Sequence, residues 1–318
     1  MNKSNVWLRK EKSIDIGIDH NAEDNFYWNP SITWHKKELF VSYRGYRKDA
    51  NSFRSYTSPL VVGKLKDDKL VEYKELMPQN VPDYVKECGV EDVRIWSDGE
   101  NLYGIGVVLS QFESENQNPR VRKRLNVRLA EIKINYDNAT YDFIEDFGQP
   151  IGFPEKNWSP IEGRPHEYMY AVDKIYSYGV IKLTTNVATV DHRIIHNGTP
   201  LVKIDGGYIA LIHQRTRLAN RTGCYPNAFI KYNEDLVPVE STDWFVFDDY
   251  KDEEVQFMAG AVMLDKETLG ITVGLDRITA RRPALYKSLL YKVKLKDIDW
   301  QPYKPTPLFH GVYRQGDK

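Results

Sequence analysis

Short apolar runs, rich in β-branched and aromatic side chains, recur along the chain between Gly, Asp, Asn and Pro. They read ELFVSYRGY, LYGIGVVLS, NVRLAEIKI, YMYAV, YSYGVIKL, GYIALIHQ, AFIKY, TLGITVGL and LLYKVKL. Runs of this length and composition, separated by turn dipeptides such as DG, GG and NG, predict strands. No long segment keeps a 3.6-residue apolar period, and the best helix candidate is the short VPDYVKEC. The pattern predicts an all-β fold.

Five stretches repeat one plan, a polar opening followed by a turn and a second strand. They are NPSITWHKKELFVSYR, EDVRIWSDGENLYGIGV, NWSPIEGRPHEYMYAV, NGTPLVKIDGGYIALIH and MAGAVMLDKETLGITVGL, beginning at Asn29, Glu91, Asn157, Asn197 and Met258. Successive starts lie 62, 66, 40 and 61 residues apart. A four-stranded propeller blade takes about 40–50 residues, so the spacing predicts a five-bladed β-propeller over residues 1–318, one domain with long loops. A sandwich of similar hairpins is the alternative. In a propeller the first strand of each blade lines the central channel, so the polar openings should converge there.

The openings contribute Asn29, Glu91, Asp92, Arg94, Lys156, Asn157 and Asn197, and the second strands end in Arg44, His213 and Asp276. Singly, each has an ordinary role: Asn and Asp begin turns, and an Arg beside an Asp is usually a structural ion pair. Together they are more informative, because buried charges and amides need partners that a polyol ligand could supply. A second, cationic group stands at the edges of apolar strands: Arg128, Lys156, His213 and Arg215. These could form an anion pocket. The run RVRKR, Arg120 to Arg124, reads instead as a solvated loop.

Composition narrows the partners. Lys plus Arg (44) balances Asp plus Glu (45) for a formal charge of −1, which provides no global field for nucleic acid or anionic lipid. No apolar run suggests a secretory leader or a membrane span, so a cytoplasmic location is expected. Two cysteines, Cys88 and Cys224, are too few for a disulfide framework or a thiolate zinc site. His192 and His196 have no third ligand at a suitable spacing, and no metal is expected. Nucleotide-binding glycine loops, HExxH and GxSxG are absent from the chain.

In order along the chain, NP…YR, GVEDVRIW, KNWSP, NGTPLVKIDGGYIALIHQ and FMAGAV…ITVGLDR resemble the landmarks of the five-bladed β-mannoside phosphorylase family, which related mannosyltransferases share. The resemblance runs from about Asn29 to Arg277. It implies an inverting reaction at an anomeric carbon with Asp92 as proton donor, flanked by Glu91 and Arg94. It also implies that Asn29, Arg44, Asn157 and Asp276 contact sugar hydroxyls, and that phosphate is held by Arg128, Lys156 and His213, with Tyr225 a looser match. Inorganic phosphate or a sugar phosphate would be the co-substrate, with no further cofactor. Val93 stands where the family's EDPR wording has proline.

Glycosyl transfer passes through an oxocarbenium-like state, with an acid at the leaving oxygen and a nucleophile on the opposite face. A phosphate nucleophile needs a cationic cradle instead of a second carboxylate. Hydrolysis would need that carboxylate, for which Glu162 and Asp276 are the candidates. Two other readings stay open: a glycosyltransferase building a surface glycan from an activated donor, and a propeller that only binds glycans. The expected partner is an oligosaccharide; homo-oligomerisation is left open.

Overall fold

The computed structural model describes residues 7–18, 25–49, 56–113, 123–148, 157–184, 195–214, 216–218, 221–247, 254–277 and 286–304. Among these the protein is all-β apart from one α-helix, Asp83–Cys88, and a 3-10 turn at Leu295–Asp297. The helix starts after Pro82, whose fixed φ suits a helix entry, and stops at Gly89, where φ is +76°. No described helix is long and apolar enough to cross a membrane.

The expected runs form strands, and one divides. YSYGVIKL becomes two strands, Lys174–Ser177 and Val180–Leu183, because Tyr178 and Gly179 take φ of +49° and +84° and reverse the chain. Two successive left-handed residues make the tight turn that matches strand twist. The basic run Arg120 to Arg124 falls partly outside the described residues. Its last two, Lys123 and Arg124, open a strand opposite Glu113 and Phe112.

The antiparallel strands fall into consecutive sets. The first comprises Asn25–His35, Glu38–Lys48, Leu60–Lys66 and Lys69–Gln79. The second comprises Glu91–Ser97, Leu102–Glu113, Lys123–Asn135 and Thr140–Gly148. A parallel pairing of Thr140–Gly148 with Lys69–Gln79 merges these two, with the short strand Tyr56–Thr57 paired to Glu38–Lys48, into one nine-stranded sheet. The third is Ser159–Ile161, Arg164–Ala171, Lys174–Ser177 and Val180–Leu183. In the fourth, Ile195–Asn197 and Val202–Ile204 both pair with Gly207–Gln214, followed by Asn227–Tyr232 and Pro238–Ser241. The fifth is Glu254–Met263, Thr268–Arg277 and Tyr286–Lys294, completed by Ser13–Asp15 from the other end of the chain.

The inner strands of the sets are buried on both faces, as at Leu60–Lys66 and Gly207–Gln214, which is why they read as nearly continuous apolar runs, while outer strands such as Lys69–Gln79 and Val180–Leu183 stay largely exposed. In the second set Ala130, Ile132 and Ile134 pack toward the first set, while Leu129, Ile105 and Val107 pack toward Trp158 and Tyr168 of the third. Further apolar clusters lie between the third and fourth sets and between the fourth and fifth. Another, with Ile32, Val41 and Val61 against Val262, Leu290 and Ile16, joins the fifth set back to the first. Fully burying one such side chain is worth about 1.5–3 kcal/mol, so this last seam, with Ser13–Asp15, closes the structure on itself.

Glycines allow two close approaches that shape the site. A Cβ at Gly274 would lie 2.3 Å from Asn29 Oδ1, so its absence lets the fifth set seat against the opening of the first. Gly104 and Gly106 make a notch for Val93, whose methyls lie 2.5 and 2.8 Å from where their Cβ atoms would be. The valine is thereby seated against the adjacent strand Leu102–Glu113, next to Asp92 in its own strand.

Candidate active site

Three of the openings share a backbone feature. Asn29, Asp92 and Asn157 take left-handed φ of 51°, 51° and 67°. Asn and Asp tolerate this region better than other residues with a Cβ, because their short polar side chains bond locally. At Asn29 and Asp92 it coincides with a break in strand register, between Trp28 and Ser31 in one hairpin and between Glu91 and Arg94 in the next. A bulge of this kind re-aims side chains out of the ladder. Asn29 Nδ2 consequently donates to Asp92 Oδ1 at 2.8 Å, linking the first two openings.

Around that bond sits a compact ion cluster. Arg44 Nη1 donates to Asp92 Oδ1 at 3.2 Å and approaches Oδ2 at 3.4 Å, while its Nη2 lies 2.8 Å from Glu91 Oε1. Burial opposes the Arg44 charge, but Asp92 and Glu91 more than offset this and raise its pKa above the ordinary arginine value. Glu91 is buried and also accepts from Ser58 Oγ at 3.3 Å and Tyr56 Oη at 3.5 Å. Asp92 is the most open of the three, its side chain 22% exposed against 15% for Arg44 and 10% for Glu91. The reachable acid is therefore Asp92, with Glu91 set behind it.

Arg94, two residues on, does something different. Its guanidinium donates to Trp158 O at 2.7 Å, Gly198 O at 3.0 Å, Asn197 O at 3.1 Å and Asn157 Oδ1 at 3.5 Å. One side chain of the second set thus satisfies acceptors at the openings of the third and fourth. Burial pushes its pKa down to about 10, with Asp92 opposing, so it remains charged at neutral pH. Asn197 is tied in turn to Met169 O through Nδ2 at 2.8 Å. These residues form a polar hub that joins three sets.

Of the cationic group, Arg128 and His213 are described and have different surroundings. Arg128 forms an ion pair with Asp146 at 2.5 Å and lies over the Tyr84 ring, and Tyr84 Oη donates to Asp146 at 2.7 Å. Alternation along its strand turns Arg128 to the side of Ala130 and the helix, toward the first set. His213 is buried on the fourth set beside Tyr225 and Phe257, ring centroids 5.4 Å away in both cases, and opposite His196 at 5.5 Å. His213 and Tyr225 are thus brought together, and Arg128 makes no contact with either. Asp276 lies on the strand Thr268–Arg277 opposite Val255 and Tyr286. Lys156 and Arg215 lie outside the described residues. Among the described residues, no group of three or more His, Cys, Asp or Glu could hold a metal ion.

Sequence reading did not single out Tyr56, Ser58, Trp28 or Asp146. Trp28 directly precedes the Asn29 opening, a position that could have drawn attention to it. Tyr56 and Ser58 belong to no repeated wording, and nothing in the sequence marked them.

No protein-family model matches the chain, and no curated protein matches it. Solved structures do. A β-1,2-mannobiose phosphorylase from Listeria innocua is similar at a TM-score of 0.58 and 13% identity, covering 88% of this chain and 94% of that one. A second structure is described by the statement that the GH130 family of mannoside phosphorylases contains glycoside hydrolases that target β-1,2 mannosidic linkages in Candida mannan. It matches at a TM-score of 0.52 and 15% identity, over 89% and 87% of the two chains. A GDP-Man-dependent mannosyltransferase from Leishmania mexicana matches at 0.50 and 9%, over 89% of each chain. The likeness is one of fold.

Proposed function

We propose that this chain is a carbohydrate-active enzyme on a five-bladed β-propeller, each antiparallel set being one blade, that transfers a mannosyl-like unit between a β-glycoside and phosphate with inversion. The carrying observation is the ion cluster. A carboxylate is displayed on a left-handed bulge, oriented by Asn29 and Arg44, and more open to solvent than Arg44 and Glu91. The shared fold with mannoside-active proteins supports the substrate class.

In this reading protonated Asp92 gives its proton to the glycosidic oxygen as the C–O bond breaks, and a phosphate oxygen bonds to C1 from the other face. The products are the free acceptor sugar and an α-glycosyl phosphate. Running in reverse, Asp92 takes the proton of the acceptor hydroxyl. Arg44 suits that role, since a nearby guanidinium favours the carboxylate form. In this reading His213, Tyr225 and Lys156 meet phosphate, and the packing of the first two against each other is what supports it.

One observation favours a second reading. Arg128 is already paired with Asp146, which weakens its claim on phosphate, and a nucleotide-sugar-dependent transferase shares the fold. The test separates them. The protein is incubated with β-1,2-mannobiose and inorganic phosphate, and in parallel with GDP-mannose and mannose, and products are followed by NMR. Phosphate-dependent α-mannose 1-phosphate supports phosphorolysis, and GDP release without phosphate supports the transferase. Calorimetric sugar binding with neither product would overturn both and leave a glycan-binding propeller.

A further inference from the structure

Trp28 is packed between two groups. Tyr286 of the fifth set stacks on its ring at 4.5 Å with planes 20° apart, and the Arg44 guanidinium lies over it, 5.0 Å from the centroid. Tyr286 is braced by Phe26 at 5.1 Å, Phe26 by Tyr46 at 6.0 Å, and Tyr46 stacks on Tyr56 at 4.8 Å. Tyr56 in turn donates to Glu91, the second carboxylate that Arg44 grips. The aromatic arc and the ion cluster therefore form one closed circuit of contacts.

Arg44 itself is incompletely fixed by hydrogen bonds. Both Nη atoms reach carboxylates, but the buried Nε has no hydrogen-bond partner among the described residues. On that edge the Trp28 ring, with the guanidinium carbon 5.0 Å over its centroid, is the described group that restrains the planar group, because a guanidinium is attracted by the quadrupole of an indole face.

We propose that Trp28 is a positioning residue for the active site, holding the Arg44 guanidinium in the plane from which it engages Asp92 and Glu91 together. The role in turnover rests on Asp92 being the proton donor; the geometric role does not. Tyr286 acts one step further back, transmitting the seam between the fifth and first sets to the Arg44 side chain.

The test reads the Asp92 carboxylate directly. Protein carrying ¹³C-labelled aspartate is titrated by NMR, with the Asp92 signal assigned by its loss in Asp92→Asn. Arg44→Met removes the guanidinium and sets the largest upward shift of the Asp92 midpoint. Trp28→Leu is expected to raise the midpoint by about half to one pH unit, the scale of a partly desolvated cation–π contact. Trp28→Phe, which keeps a ring face, should stay near the parent protein. An unmoved midpoint in Trp28→Leu, with a clear shift in Arg44→Met, overturns the proposal. If Trp28→Leu does not fold, Tyr286→Leu is read the same way, a smaller upward shift supporting the proposal and no shift overturning it. On a substrate that the parent protein turns over, Trp28→Leu should lower kcat about tenfold with KM little changed. A shifted midpoint in a protein that turns over no donor would keep the positioning role and remove the enzymatic reading.

Discussion

Arg44 and Arg94 flank Asp92, both largely withdrawn from solvent, and the chain uses them in opposite ways. Arg44 faces two carboxylates and a tryptophan at the mouth of the first two sets, and its pKa is raised. Arg94 faces backbone carbonyls and one amide oxygen, meets no carboxylate by hydrogen bond, and its pKa is lowered to about 10. A guanidinium among neutral acceptors is a fastener, since each donor satisfies an oxygen that burial would otherwise leave unpaired. One among carboxylates sets the charge state and aim of an acid. The same residue type thus marks where the molecule is held together and where chemistry can occur.

The comparison breaks most sharply at the hub. Arg94→Met should strip four oxygens of a donor and cost about 3–5 kcal/mol in urea denaturation, given roughly 1–3 kcal/mol for each buried group left unsatisfied and partial relaxation. Arg44→Met should cost less, about 1–3 kcal/mol, because the carboxylates it abandons keep some solvent and Glu91 keeps Ser58 and Tyr56. If the two losses came out equal, the division between fastener and charge-setter would fail. Asn29→Ala should cost about 1–2 kcal/mol from its left-handed backbone and the lost bond to Asp92.

The smallest effect tests a second buried carboxylate. Glu131 lies 2.8 Å from His166 Nδ1, and burial raises its pKa above the ordinary value near 4.5 despite that histidine. A carboxyl raised in the folded state binds its proton more tightly there than when unfolded. Its contribution is therefore complete below about pH 4.5 and lost as pH rises through the folded value. Glu131→Gln should flatten the stability profile above pH 4.5 relative to the parent protein. An unchanged profile would show that Glu131 does not report burial in this way.

Much of the fold was legible because the inner strands of each sheet are buried on both faces and announce themselves as apolar runs with turn residues between. The closing seam was not. Ser13–Asp15 is three residues long, and only its partner Tyr286–Lys294 identifies it as a strand. Of the candidate site residues legible in the sequence, Asn29, Arg44, Glu91 and Asp92 meet one another. What sequence could not supply was direction. On a regular strand Asp92 and Arg94 share a face, but the left-handed bulge at Asp92 breaks that period and sends them to different partners. Arg128 was grouped with the other cations by charge, whereas alternation along its strand turns it to Asp146.

The most direct measurement of the central claim is turnover by Asp92→Asn. Asparagine already occupies the equivalent left-handed position at Asn29 and Asn157, so the fold should be retained, with a melting temperature lowered by the lost ion pair to Arg44. With β-1,2-mannobiose and phosphate as substrates, the expected loss is about 10²–10⁴-fold in kcat, the contribution of a positioned general acid. Activity equal to that of the parent protein, in a folded variant, would contradict the claim.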